Sequence, residues 1–168
     1  MDFTNIFRGK IFKIDDNNSI VLRQLEHTDY EKDYINLYKA FTEDLDTSKD
    51  NFNIFYQNYI KSNKAIYVLE EGNQLIGTIS LIIEQKPFHN FQYVVHIEDF
   101  VIIGKQRGLG TKVLTAINQH INHVNEENNQ LIIYKIILDC DECLQHFYSK
   151  NGFARKGIYM ARYILIKN

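Results

Sequence analysis

Hydrophobic positions recur at two spacings along this chain, and each change of spacing marks an element. Residues 20–25 alternate as a strand. Thr28-x-x-Glu31 has the form of a capping box, and Tyr30, Tyr34, Leu37 and Phe41 then fall on one face of a helix. A second helix carries the aromatic stripe Phe52, Phe55, Tyr56, Tyr59 and Ile60, a pattern that serves a core far more often than a cofactor. Residues 65–70 and 74–85 read as strands joined by the turn Glu71-Gly72-Asn73, and the sole proline, Pro87, ends the second. Residues 93–103 form a long β-branched and aromatic strand. After it Leu109, Val113, Leu114, Ile117, Ile121 and Val124 return to helical spacing. Residues 131–139 look like a buried strand, 142–150 like a short helix closed by Asn151-Gly152, and 157–167 like a final strand. The order predicts an α+β chain in three layers, with helices flanking a mixed central sheet of about six to seven strands. Residues 1–19 form an N-terminal extension of no evident role, and 20–168 form one domain.

Composition narrows the picture. A chain of 168 residues buries roughly 70% of its unfolded surface, enough for one sizeable core. The net charge of −2 gives no electrostatic ground for a nucleic-acid partner. No apolar run is long enough to span a membrane, and no secretory leader is seen. Two cysteines do not make a disulfide framework, so a reducing, cytoplasmic setting is expected.

Candidate chemistry starts at Lys105-Gln106-Arg107-Gly108-Leu109-Gly110-Thr111-Lys112, between a strand and a helix. A helix start exposes unpaired N–H groups and the positive end of a dipole, and glycines let an anion reach the backbone. The nucleotide-loop pattern fails because Thr111 precedes Lys112, and the dinucleotide pattern fails for want of a third glycine. The remaining pattern, [QR]-x-x-G-x-[GA], resembles the pyrophosphate-binding loop of GNAT acetyltransferases, with Lys105 where that superfamily prefers Arg or Gln. An ordinary glycine turn is the other reading of the loop taken alone.

Longer runs sharpen the resemblance. His96-Ile97-Glu98-Asp99, Tyr134-Lys135-Ile136-Ile137-Leu138-Asp139-Cys140-Asp141-Glu142 and Phe147-Tyr148-x-Lys150-x-Gly152-Phe153 resemble the glucosamine 6-phosphate N-acetyltransferase family of that superfamily, as does Ile82-Ile83-Glu84 followed by Lys86-Pro87-Phe88-His89. Membership implies the GNAT fold and direct acetyl transfer from acetyl-CoA to the amine of D-glucosamine 6-phosphate, in the supply of UDP-N-acetylglucosamine. It implies no metal, and a homodimer in which a partner's C-terminal strand brings an Arg to the phosphate. The cofactor residues it implies are Phe100 and Val101, pairing with pantetheine by their backbones, and Lys105, Gln106, Arg107, Gly108, Leu109, Gly110 and Thr111 around the pyrophosphate. For the amino sugar it implies Thr42, Lys86, Pro87, Phe88, His89, Glu98, Asp99, Tyr134, Lys135, Asp139 and Arg162.

Tyr148 is the expected acid for the departing thiolate, against the alternative of a packed helix tyrosine. Glu98 and Asp99, the other catalytic candidates, stand on adjacent strand positions. Their side chains therefore face opposite ways unless a bulge intervenes. Two departures from the family stand out. Arg162 sits one position early, which on a strand reverses its face. Leu144 replaces an Asn that bonds the pantetheine arm, a loss of about 1 kcal/mol. Cys140-x-x-Cys143-x-x-His146 lacks a fourth metal ligand, and His120 and His123 suit a polar helix flank. A GNAT acting on a peptide amine, and an acyl-CoA-binding module without catalysis, are the rival functions.

Overall fold

A strand covered on both faces has to be apolar at nearly every position, because neither side meets water. β3 (Lys64–Glu71) and β4 (Gln74–Gln85) fit that demand: residues 65–69 and 75–81 are buried without a break. They form the centre of a six-stranded sheet of order β1-β2-β3-β4-β5-β6, with β1 (Phe12–Lys13), β2 (Ile20–Gln24), β5 (Tyr93–Ile102) and β6 (Ile133–Ile137). Neighbours are antiparallel except β5 and β6. That one parallel pair needs a crossover, which α2 (Leu109–Glu127) supplies. The structure, a computed structural model, describes residues 6–17, 19–45, 48–103, 108–129 and 132–163. The chain divides into two compact units, Met1–Leu138 and Asp139–Asn168.

In the first unit the pleat of β3 separates two sets of side chains. Ile66 and Val68 join Leu25, Tyr34, Leu37, Phe52, Tyr59 and Leu75 in one cluster, beneath α1 (Lys49–Tyr59). Tyr67 points the other way, against Phe12, and the Phe12 ring meets the edge of His120 on α2. The six α2 residues expected to face the core are all buried. The extension acquires a part here. Phe7 is fully buried, its carbonyl accepts from the Tyr67 hydroxyl, and the Ile6 carbonyl accepts from His120 Nε2 at 2.8 Å. β1 then pairs with β2.

The first expected helix is two 3-10 segments, His27–Lys32 and Tyr34–Ala40, separated by Asp33 at φ 60°. Its cap lies two residues earlier than the Thr28-x-x-Glu31 pattern: Asp29 accepts from the Glu26 N–H at 2.8 Å. Arg23 explains the shift, since its two terminal nitrogens also hold Asp29, each at 2.8 Å. Phe41, Phe55 and Ile60 are exposed, so both aromatic stripes bury only part of their width. The strand expected at 131–139 is shorter and only partly buried. The second unit holds a 3-10 turn, Glu142–Leu144, and α3 (Gln145–Lys150). No strand forms over 157–163; those residues are irregular and exposed, and 164–168 lie outside the described residues.

Arg23 also bonds Glu70 at 2.7 Å, and Glu70 accepts from Lys32 at 2.5 Å. Asp29 is fully buried, so losing Arg23 strands a charge. Arg23→Met is expected to cost about 3 kcal/mol in urea unfolding. Arg23, and then Lys32, draw the Glu70 carboxyl below its ordinary 4.5. A depressed folded pKa means stabilisation present above the unfolded value and lost as pH falls through the folded one. Unfolding midpoints measured from pH 6 to 3 should therefore drop below pH ~4.5, and Arg23→Met should flatten that drop.

Candidate active site

β4 and β5 fall out of step at one place. Ser80 pairs with Glu98, but Thr78 pairs with Val101, so β5 carries one residue too many between them. The excess is taken up at Asp99, whose φ of 50° is left-handed, a conformation uncommon outside glycine that Asp adopts more readily than most residues. A bulge therefore intervenes at these two positions, the condition under which Glu98 and Asp99 need not face opposite ways. Glu98 lies opposite Ser80 by register, and the Asp99 carboxylate accepts from Ser80 Oγ at 3.1 Å. Both carboxylates thus attend the same side of β5. Gly77 makes room beside the bulge: a Cβ there would stand 2.6 Å from the Val101 carbonyl oxygen.

Hydroxyl groups gather behind the bulge, a feature with no sequence signal beyond Thr and Ser inside an apolar run. Thr78 and Ser80 are each 1% exposed. Thr78 donates to the Tyr67 carbonyl at 2.9 Å. The Tyr34 and Tyr38 hydroxyls lie 2.7 Å apart, and Tyr38 also interacts with Thr78 and Ser80. Burial raises both phenols above their ordinary range.

Past the bulge the sheet opens. The ladder between β5 and β6 ends at His96↔Ile137, whereas β5 continues to Ile102. Phe100 and Val101, expected to meet pantetheine, lie half-buried on this stretch. At the start of α2, Gly108 takes φ 86° and the first helical bond runs from Lys112 N to the Gly108 carbonyl. The N–H groups of Leu109, Gly110 and Thr111 precede that bond and suit an anion. Lys105, Gln106 and Arg107 lie outside the described residues.

The expected sugar-binding residues of the first unit form two groups and an outlier. Lys86 and His96 both bond Glu84, at 2.5 and 2.8 Å, and hold its carboxyl below the ordinary range, Lys86 the more strongly. After Pro87 and the exposed Phe88, His89 turns left-handed and sets its ring 4.5 Å from that of Tyr134. Lys135 places its ammonium 5.4 Å from the other ring's centre, a cation–π contact with Tyr134. The Tyr134 hydroxyl is buried and has no hydrogen-bond partner among the described residues. Thr42, the outlier, is exposed and accepts from the Asp44 N–H.

In the second unit Tyr148 is buried between Phe147 and Phe153, with ring centres 4.9 and 5.8 Å away. Gly152, at φ 87°, turns the chain so that Phe153 N bonds the Tyr148 carbonyl. Burial, with help from Cys140 and Asp139, pushes the Tyr148 phenol up to about 12. It keeps its proton at neutral pH. Asp139, Leu144 and Arg162 are exposed, as are the free thiols of Cys140 and Cys143. Among the described residues no group of three or more His, Cys, Asp or Glu is arranged to hold a metal.

Comparison with known proteins gives a consistent result. Residues 29–153 match the model of the acetyltransferase (GNAT) family. A glucosamine 6-phosphate N-acetyltransferase of Dictyostelium discoideum is 33% identical over 88% of this chain and 93% of its own length. One from Candida albicans is 31% identical over 82% and 91%. The crystal structure of the Arabidopsis thaliana glucosamine-6-phosphate N-acetyltransferase superposes with a TM-score of 0.70 at 28% identity, covering 86% of this chain and 97% of that one.

Gly77→Ala tests the close approach beside the bulge. The added methyl should force β4 and β5 apart and lower stability by about 2 kcal/mol in denaturant titrations, well above an ordinary surface change.

Proposed function

The chain belongs to the GNAT acetyltransferase family and, within it, to the glucosamine 6-phosphate N-acetyltransferases, and we propose that it moves the acetyl group of acetyl-CoA onto the 2-amino group of D-glucosamine 6-phosphate. The products are N-acetylglucosamine 6-phosphate and CoA. The observation that carries this reading is the bulge of β5, with both carboxylates to one side of it and open strand backbone beyond.

Acetyl-CoA supplies an activated acyl group as its thioester. The chain's residues bind and orient. The backbones of Phe100 and Val101 continue the sheet towards the pantetheine arm, and the N–H groups of Gly108, Leu109, Gly110 and Thr111, with Lys105, Gln106 and Arg107, take the pyrophosphate. Asp99 accepts from the sugar amine, with Glu98 beside it. The family resemblance assigns Thr42, Pro87 and Phe88 to the sugar, and Asp139 in the second unit. Lys86, His89 and Lys135 meet its phosphate, with Tyr134 as their platform. Tyr148 gives its proton to the departing thiolate, which its high pKa allows at neutral pH. The amine's proton leaves through water, because a sugar amine beside electron-withdrawing carbons needs no strong base.

Residues 20–168 act in this reading as one catalytic domain in a cytoplasmic homodimer that feeds UDP-N-acetylglucosamine synthesis, without nucleic acid or membrane partner. Among the described residues no helix is long and apolar enough to cross a membrane. The dimer is supported by Ile158, Tyr159, Met160 and Tyr163, which are 71–86% exposed and give a second copy something to cover. Arg162 lies among them, offered to the partner's phosphate site.

Thiol release from acetyl-CoA is the direct test. Turnover is expected with glucosamine 6-phosphate and not with glucosamine or a lysine-rich peptide; a preference for the peptide overturns the substrate. Tyr148→Phe should lower kcat about a hundredfold with KM little changed. Deleting residues 157–168 should give a monomer by light scattering and abolish turnover. A dimer surviving that deletion would remove the C-terminal segment from the interface.

A further inference from the structure

The hydroxyl groups behind the bulge are more than buried polar atoms satisfying one another. Ser80 has one hydroxyl proton, and it points at an exposed carboxylate that water would otherwise solvate. Its oxygen is left to accept, and Tyr38 is the hydroxyl beside it. Tyr38 in turn contacts Tyr34, which is fully buried. Tyr34, Tyr38, Thr78 and Ser80 therefore form one group of hydroxyls between the core and Asp99, and Ser80 is its member bonded to the carboxylate. Held from the core side, the Ser80 hydroxyl restricts the rotation of the carboxylate it bonds. Thr78 is excluded as a donor to Asp99, since its own proton is committed to the Tyr67 carbonyl. Among the described residues Ser80 is the one donor to the Asp99 carboxylate, through Oδ2. The other carboxylate oxygen is left for a ligand.

We propose that Ser80 and Tyr38 are positioning residues, which hold the Asp99 carboxylate so that its second oxygen receives the amine of the sugar. This rests on the reading of Asp99 as the amine's acceptor. Placing the constraint in β4 and the 3-10 segment, rather than in β5, lets the strained backbone at Asp99 carry an oriented side chain.

The test is a double-mutant cycle of Ser80→Ala with Asp99→Asn, read as separate KM values for the two substrates, with Tyr38→Phe as a second route to the same group. Ser80→Ala should raise KM for glucosamine 6-phosphate about tenfold, the loss of one hydrogen bond to a charged group, and leave KM for acetyl-CoA unchanged. In the Asp99→Asn background the same change should add nothing. Tyr38→Phe should follow with a smaller effect of the same sign, and it stands in if Ser80→Ala does not fold. Equal losses in both backgrounds, or a rise in both KM values together, would overturn the positioning role while leaving Asp99 in place. An Asp99→Asn enzyme as active as the wild type would overturn the role of Asp99 and this proposal with it. Calorimetric binding of glucosamine 6-phosphate to the CoA complex runs the same cycle without turnover. A wild-type chain that neither binds nor acetylates the sugar overturns both readings.

Discussion

One extra residue in β5 organises this molecule. Up to His96 the strand is paired on both sides, with β4 and β6, and is part of a closed core. Beyond Asp99, among the described residues, it pairs with β4 alone. A bulge bends its strand and increases the local twist, and here it coincides with the loss of the parallel neighbour. The sheet is divided at that point into a part that stabilises and a part that presents backbone. Gly77 is the counterpart on β4, because no other residue type leaves space for the Val101 carbonyl. Strain at Asp99 is tolerated because the flanking residues are locked into a central strand pair.

Around this division three buried or part-buried polar groups are matched by partners from other elements. Asp29 is held by Arg23, Thr78 by the Tyr67 carbonyl, and Ser80 by Asp99. Each match also joins elements distant in sequence. Arg23 links β2 to the first 3-10 segment and to β3, and Tyr67 links β3 to the N-terminal residues through the Phe7 carbonyl. The same tie reaches α2 through His120, so the helix that begins at the glycine turn is anchored from its far side.

Much of this could be read from the chain beforehand, and the exceptions have physical causes. β4 was bounded correctly at both ends because a glycine turn and a proline frame it, and the buried face of α2 was legible because six apolar residues keep helical spacing. Residues 27–40 carry the right pattern for a helix but not its pitch. A salt bridge from β2 captures Asp29, and a left-handed Asp33 interrupts the run, both tertiary effects. The final strand is absent over 157–163, because residue types suited to a strand do not by themselves supply a strand to pair with. At the site, Glu98 and Asp99 were legible as residue types, while their common side depended on a bulge that composition does not announce. Tyr34, Tyr38, Thr78 and Ser80 were invisible as a group. They converge from two elements distant in sequence, and singly each looks like a core aromatic or a small polar residue in a strand.

The 3-10 geometry of Tyr34–Ala40 has a mechanical consequence. At about 2.0 Å per residue instead of 1.5 Å, its seven residues reach ~3.5 Å further than an α-helix of the same length. Backbone pitch thus acts as a spacer that sets how far the tyrosine pair extends towards β5. Asp33 at the break and Arg23, which holds the first segment, thereby bear on a distance set elsewhere. Variation at those positions would reach the site through that spacing as well as through stability.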